Sequence, residues 1–144
     1  MSEWFTHVCV AYSVFTVVSW RLDWLEDKWI AVGLVGSILP DLSRLKLLAD
    51  SDTMTALLGI PFEWAGLHTL AGCTLMSGIG ALLFASRRQQ LRAFCLLFAG
   101  VLSHLLIDVP QPYADGKALI DQYLYPLPPW RVPVPGVYVS PDRW

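Results

Sequence analysis

Four long segments of the chain carry no charged residue, and short charged segments separate them. The uncharged segments cover residues 4–20, 29–40, 64–86 and 93–107. A hydrocarbon core about 30 Å thick needs roughly 20 helical residues, so only the third segment is comfortably long enough to cross it. The other three span the core only if their polar ends also lie at membrane depth. The pattern predicts an all-α fold, namely a four-helix antiparallel transmembrane bundle.

The connections between the segments have their own signals. Residues 21–28 and 86–92 are charged and are predicted to form short turns at the same end of the bundle. Between the second and third segments, Asp50 and the polar residues after it can cap a short helix. That helix is predicted to run through Leu58 and to end at Gly59.

The composition changes at Pro110, beyond which prolines recur in a tract that includes Pro126, Pro128, Pro129, Pro133 and Pro135. Proline has a fixed φ and no amide hydrogen, which excludes a regular helix or a central strand. We therefore expect one domain. In it, residues 1–109 form the bundle and residues 110–144 form an irregular tail over the mouth of the bundle.

The overall composition agrees with a bilayer environment. The 144 residues are 55% apolar and only 15% charged, include seven Trp, and have a mean hydropathy of +0.49. The net charge of −2 provides no basic surface of the kind that nucleic-acid binders carry, so no nucleic-acid partner is expected. The chain is predicted to be an integral membrane protein in contact with lipid.

One end of each uncharged segment carries histidine or carboxylate side chains. These residues are His7, Asp41, Glu63, His68, His104 and Asp108. In an up-down-up-down bundle the starts of the odd helices and the ends of the even helices lie on one side. These six residues, which come from the ends of four segments, are therefore predicted to converge at one end of the molecule.

The residue types predict a metal site. His104 and Asp108 are four apart, so one helical face presents both to a single cation. Together with the other residues of the set they suit zinc or another first-row divalent ion, singly or as a pair. We assign His68, His104 and Asp108 to the first ion, and His7 and Asp41 to the same or a bridging position.

A divalent ion at such a site lowers the pKa of bound water toward roughly 7 and polarises a phosphoryl or carbonyl oxygen, so hydrolysis is the expected chemistry. Glu63, as general base or additional ligand, and Asp41 are the predicted catalytic residues. Arg131 is a candidate for substrate binding because a guanidinium matches phosphate geometry, although a charge facing solvent or the headgroups is the more ordinary explanation. A phosphoester of a lipid or lipid-linked molecule is the expected substrate.

The same residues resemble a known family. The similarity is carried by Phe5-Thr6-His7, Ile38-Leu39-Pro40-Asp41, Gly66-Leu67-His68-Thr69, Ser103 to Asp108, Asp115-Gly116 and Tyr125-Pro126. These stretches resemble small membrane-bound proteins described as metal-dependent hydrolases, including the LexA-regulated YdjM-like proteins. More faintly, they are similar to zinc-dependent bacterial phospholipases C.

The resemblance implies that His7, Asp41, His68, His104 and Asp108 are metal ligands. The chain departs from the family pattern at three positions. Glu63 and Trp64 stand where the family has His and Arg, and Ser43 stands where a second acid often follows the Pro-Asp. Either Glu63 supplies a harder oxygen ligand than the histidine it replaces, or the chain has lost one of two metal positions.

Each residue also has a purely structural interpretation. His7 can be an interfacial hydrogen-bonded residue, and His104 with Asp108 can be a pair that satisfies two buried polar groups without metal. Asp41 can end the second helix with Pro40, and Glu63 can complement a helix dipole. A noncatalytic membrane scaffold is thus an alternative function. A haem protein is another, although three carboxylates fit a bis-histidine haem pocket poorly.

The distribution of basic residues predicts the orientation. The two charged turns together carry five basic residues, namely Arg21, Lys28, Arg87, Arg88 and Arg92. The opposite end carries Arg44, Lys46 and Lys117. By the positive-inside rule, the end with more basic residues is cytoplasmic, which places the predicted site on the extracytoplasmic side.

Overall fold

The protein consists of helices over most of its described length. The computed structural model describes residues 4–108, 117–118 and 132–133. Its five α-helices are α1 (Trp4–Ser19), α2 (Asp27–Ile38), α3 (Ser51–Leu58), α4 (Leu70–Ala81) and α5 (Arg87–Asp108). Two 3-10 segments, Leu39–Leu47 and Trp64–His68, precede α3 and α4 respectively. The predicted all-α class is confirmed.

Two very short strands are the only β-structure among the described residues. β1 (Lys117–Ala118) pairs antiparallel with β2 (Val132–Pro133), with Lys117 opposite Pro133. Proline fits there because both strands of a two-stranded pair are edges. The rest of the predicted tail over the bundle mouth lies outside the described residues, so its placement stays a prediction.

The prediction for the third uncharged segment was wrong. Instead of one long helix, the segment forms the 3-10 turn Trp64–His68 and then α4, which has only 12 residues. Thr69 separates the two because its backbone is extended and its hydroxyl accepts a hydrogen bond from the Gly72 amide at 3.1 Å. A hydroxyl in this role favours the start of a new helix over continuation of the old turn.

The longest helix is α5, with 22 residues, and it includes most of the segment predicted to be a turn. Ser86 starts it, since the Gln89 amide donates to its hydroxyl at 3.3 Å and the Gln90 amide donates to its carbonyl at 2.8 Å. The arginines from Arg87 to Arg92 therefore lie on the first turns of the helix. The prediction that charged residues form the turn and apolar residues the helix therefore placed the start of α5 too late in the chain.

Among the described residues, α5 is the one helix long and apolar enough to cross a membrane by length and composition. The helices α1 and α4 are apolar but shorter, at 16 and 12 residues, and α2 also has 12 residues. The prediction of four spanning helices is therefore not confirmed, whereas its all-α core is.

The short helix between the second and third segments is confirmed as α3. The Asp50 carboxylate accepts a hydrogen bond from the Thr53 amide at 2.8 Å, and this hydrogen bond lowers the pKa of Asp50. Gly59 ends the helix with a φ of 69°, in the left-handed region that glycine adopts without strain.

Close packing of α2 against α5 positions the functional end of the protein. A Cβ atom at Gly100 would overlap the carbonyl oxygen of Gly33, and one at Gly36 would overlap the carbonyl oxygen of Leu97. Glycines at these points let the two backbones touch, as small residues do in membrane helix pairs. As a result, Ser37 on α2 lies beside His104 on α5.

The apolar core lies toward the end of the molecule that carries the two charged connections. It is formed by Ala11, Phe15, Leu25, Trp29, Ile30, Ala81, Ala93 and Leu96. A second, smaller cluster of Cys73, Val101 and Leu105 lies next to the polar residues at the other end. The polar cluster therefore lies at one end of the packed helices, next to the smaller apolar cluster.

Candidate metal centre

The structure brings together five of the predicted site residues from four parts of the chain. Their potential ligand atoms form two overlapping groups, each with all atoms within 4.8 Å of one another. One group is His7, Asp41 and His104, and the other is His68, His104 and Asp108. His104 belongs to both groups and is thus the centre of the cluster.

A backbone carbonyl sets the orientation of His104. The imidazole is fully buried, at 0% exposure, and its Nδ1 lies 2.7 Å from the carbonyl oxygen of Ser37. A carbonyl oxygen only accepts, so Nδ1 carries the proton and donates it. The lone pair of Nε2 then points toward the cluster, which is the arrangement that metal-binding histidines commonly show.

Asp108 lies between two of the histidines. Its Oδ2 is 3.2 Å from Nε2 of His104, and its Oδ1 is 3.5 Å from Nε2 of His7. The rings of His7 and His104 are stacked, with centroids 3.8 Å apart and planes at 15°. The Nε2 atoms of both stacked rings therefore lie within 3.5 Å of the same carboxylate.

Asp41 enters the cluster from the 3-10 segment that follows α2. Pro40 and Asp41 are both buried, and Asp41 is only 4% exposed. Side chains three residues apart lie directly above each other in a 3-10 helix, and Arg44 accordingly places Nε 3.0 Å from Asp41 Oδ1. Within the described residues, Asp41 Oδ2 has no hydrogen-bond partner. One oxygen is thus held by Arg44 and the other faces the cluster.

His68 reaches the cluster from the end of the second 3-10 segment, outside the α-helices. Its ring meets that of His104 edge-on, with centroids 5.8 Å apart and planes at 61°. Together with His104 and Asp108 it forms the second group of potential ligands.

Glu63 does not join either group of potential ligands. It is exposed, and its Oε2 accepts a hydrogen bond from the Ser51 hydroxyl at 3.2 Å. Its predicted role as general base stays a prediction. Arg131, predicted to bind substrate, lies outside the described residues.

Two residues of the centre were missed by sequence reasoning. The Ser37 carbonyl is a backbone group and leaves no trace in the residue pattern. Arg44 left a signal, since it follows Asp41 by three residues, a spacing that brings two side chains together in a 3-10 helix and in an α-helix. An irregular continuation would have separated the two side chains.

The atoms that face the cluster fit a cation. Within the described part of the chain, His104 Nε2 and Asp41 Oδ2 are buried side-chain atoms that form no hydrogen bond. Buried polar atoms normally have a partner, and leaving one unsatisfied costs about 1–3 kcal/mol. Imidazole nitrogens and carboxylate oxygens together are the ligand set of zinc and related first-row ions. Because only Nε2 of His104 has a lone pair, the two overlapping groups can share this residue only in binding the same ion.

Comparison with known proteins identifies a family. A family model described as YdjM inner membrane protein matches residues 1–144, which is the whole chain. No curated protein and no solved structure matches significantly. The predicted similarities to metal-dependent hydrolases and to phospholipases C therefore receive no support from these comparisons.

Proposed function

The chain belongs to the YdjM inner membrane protein family, and from that premise we propose that it binds a divalent cation at membrane depth and uses it to hydrolyse a phosphoester. Membrane residence follows from the family. The cation and the reaction are the proposed part, and they rest on the cluster around His104.

The surface of the helices supports contact with lipid. Large apolar side chains on α1, α4 and α5 are exposed, among them Phe5 at 76%, Leu75 at 64% and Leu106 at 70%. In water, exposure of so many apolar side chains is costly, but lipid tails solvate them at no such cost. The outward faces of the helices thus agree with a bilayer environment around the polar cluster.

The single observation that carries the proposed cation is the contact between His104 Nε2 and Asp108 Oδ2 at 3.2 Å, in which the nitrogen forms no hydrogen bond because the ring proton is on Nδ1. A structural His-carboxylate pair would have a proton between these two atoms, and a cation can take its place. Buried ionisable groups in a membrane cost at least about 2.5 kcal/mol each at mid-depth, and function is the usual reason for their presence.

The roles of the side chains follow from their geometry. We assign His7, His68, His104, Asp41 and Asp108 to holding the cation, most readily zinc. When bound, the ion would supply Lewis acidity that activates water and polarises a phosphoryl oxygen. The Ser37 carbonyl keeps His104 in one tautomer. Glu63 is assigned as the general base that accepts a proton from the attacking water. A lipid or lipid-linked phosphoester suits a site at membrane depth on the extracytoplasmic side.

Metal analysis of the purified, detergent-solubilised protein tests the first part of this proposal. We expect stoichiometric divalent metal in the wild type and loss of it in His104→Ala and Asp41→Asn. Asp52→Asn is the matched control, because Asp52 is an exposed carboxylate of α3 outside both groups. Equal metal content in all four proteins would refute a cation site at His104.

Hydrolysis is tested separately with a panel of phospholipids and soluble phosphoesters, with and without chelator. We expect turnover of at least one phosphoester that chelator abolishes and added zinc restores. If the protein binds metal stoichiometrically but hydrolyses none of the panel, the alternative of a noncatalytic membrane scaffold with a structural metal replaces the enzyme.

A further inference from the structure

Arg44 is the basic residue at the candidate metal centre. Of the arginines and lysines whose side chains the structure describes, it is the one that contacts a residue of the cluster, through Nε and Asp41 Oδ1 at 3.0 Å. By contrast, Lys28 pairs with Glu26 at 2.6 Å near the start of α2, and Arg92 lies over Trp24 near the start of α5. The position of Arg44 therefore calls for a specific explanation.

Among the described residues of the centre, the charge of Arg44 is not balanced once a cation is bound. With neutral histidines, Asp41 and Asp108 contribute −2, and a divalent ion cancels them. Arg44 then adds +1, so the loaded centre carries a net positive charge at membrane depth. Charges are costly there unless they are paired, and an anionic ligand is the group that pairs this one.

The geometry of Arg44 leaves donors for such a ligand. A guanidinium has five N–H donors in a planar fork, and the described contacts of Arg44 engage Nε with Asp41. Its central carbon lies 5.4 Å from the centroid of the Trp4 ring, which holds the plane of the group by a cation–π contact. The side chain is 36% exposed, whereas that of Asp41 beneath it is 4% exposed. Arg44 thus lies on the open side of the cluster.

We propose that Arg44 is a substrate-binding residue that, together with the bound cation, captures the phosphate group of an anionic ligand. This inference rests on the proposed cation site and names the chemical class of its ligand as a phosphate monoester or diester anion. The planar fork of arginine matches two phosphate oxygens at once, which lysine does not. The source of the phosphate, a lipid headgroup or a soluble molecule, is left to the experiment.

Binding of inorganic phosphate to the cobalt-loaded protein in detergent tests this role. The absorption of bound cobalt(II) reports metal occupancy independently of phosphate, and each variant is measured at a cobalt concentration that saturates it. Arg44→Gln removes the charge, and Arg44→Lys keeps the charge but loses the fork. Arg92→Gln is the matched control, since Arg92 also packs over a tryptophan, with its central carbon 5.1 Å from the Trp24 ring centroid.

We expect phosphate to bind the wild type and Arg92→Gln equally. Arg44→Gln should bind it at least about tenfold more weakly, as expected when a charge-assisted hydrogen bond is lost, with Arg44→Lys in between. Unchanged phosphate affinity in Arg44→Gln at full cobalt occupancy would overturn the proposal. A variant that takes up no cobalt at any concentration would also overturn it, since Arg44 would then act by positioning Asp41.

The failure of the cation site itself gives a different result. In that case the wild type shows no cobalt absorption, whatever the phosphate result.

Where the wild type binds both cobalt and phosphate, competition identifies the source of the phosphate ligand. Displacement of inorganic phosphate by phosphatidic acid in mixed micelles, but not by phosphatidylcholine, assigns a lipid phosphomonoester. Displacement by soluble phosphoesters alone assigns a soluble anion. Both results support the anion site at Arg44.

Discussion

His104 shows how much of this protein depends on single atoms. Its Nδ1 is engaged by the Ser37 carbonyl at 2.7 Å, and its Nε2 is common to both groups of potential ligands. If the proton were on Nε2 instead, the carbonyl would face a lone pair and the cluster would lose its central ligand. The backbone of α2 thus determines the chemistry available to a side chain of α5.

A substitution at His7, whose ring stacks on that of His104, can distinguish a packing role from a role as metal ligand. His7→Phe keeps an aromatic ring against His104 but removes both nitrogens. We expect stability in detergent to change little and metal affinity to fall by at least about tenfold, the smallest loss usual when a residue supporting a metal site is removed. Titration with cobalt(II) measures the affinity, and thermal unfolding measures the stability.

Tyr12→Phe is the control for this prediction, because Tyr12 lies on the same helix with 54% of its surface exposed. It should bind cobalt like the wild type. Unchanged affinity in His7→Phe would remove His7 from the ligands and leave it as a hydrogen-bonded interfacial residue.

At the scale of elements, the contact between α2 and α5 determines whether the cluster forms. A Cβ at Gly100 would overlap the Gly33 carbonyl oxygen and come within 2.8 Å of the Ser37 amide nitrogen. Gly100→Ala must push the two helices apart, which we expect to destabilise the protein by about 1–3 kcal/mol. The same shift moves Ser37 away from His104, so metal affinity should fall as well.

Gly78→Ala is the matched control for the glycine contact. Gly78 also lies inside a helix, but a Cβ there would meet nothing within 4 Å. We expect this variant to be as stable as the wild type or slightly more so, because alanine is favoured over glycine in helices by up to about 1 kcal/mol. Equal effects of the two substitutions in thermal unfolding would contradict the packing argument.

The cap of α3 predicts a local dependence on pH. The hydrogen bond from the Thr53 amide lowers the pKa of Asp50, so the carboxylate is stabilised in the folded protein. A group with a lowered folded pKa contributes stability above its unfolded pKa and loses that contribution as pH falls through the folded pKa. Hydrogen exchange over Ser51–Leu58, corrected for intrinsic rates, should therefore accelerate as pH falls below the ordinary aspartate range.

Asp50→Asn is the comparison for this effect, since asparagine caps helices without titrating. Its corrected exchange should not change over the same pH range. The same acceleration in Asp50→Asn would assign the effect to other groups.

For the whole molecule, the arrangement of charged connections predicts which side of the membrane the cluster faces. Asp52, on α3, lies in the segment between the two 3-10 turns of the site, and Ser86 lies in the connection before α5 at the other end. In a variant without native cysteines, Asp52→Cys should react with a membrane-impermeant maleimide added from the extracytoplasmic side. Ser86→Cys should react only after the membrane is permeabilised.

The reverse labelling pattern would place the cluster on the cytoplasmic side and contradict the orientation drawn from the basic residues. Labelling of both positions from one side would contradict the bundle as a membrane-spanning unit. Neither result would affect metal binding, which the substitutions at His104 and Asp41 test independently.

The sequence predicted the parts of this molecule that depend on local chemistry. The charge-free segments correctly predicted a helical protein, and Asp50 and Gly59 correctly predicted the ends of α3, because capping and left-handed backbone are properties of a few neighbouring residues. Boundaries were less predictable where charge was a misleading signal. Arg87 to Arg92 looked like a turn, yet they form the start of α5.

The position of each histidine and carboxylate at the end of an apolar segment was already determined by the sequence, because alternation along the chain sorts segment ends to one side. Only the tertiary structure decided which of those residues meet. Contact at Gly36 and Gly100 brings the Ser37 carbonyl to His104, and the 3-10 turn after α2 places Arg44 on Asp41. Those choices depend on distances between backbones far apart in sequence, and residue spacing carries no information about such distances.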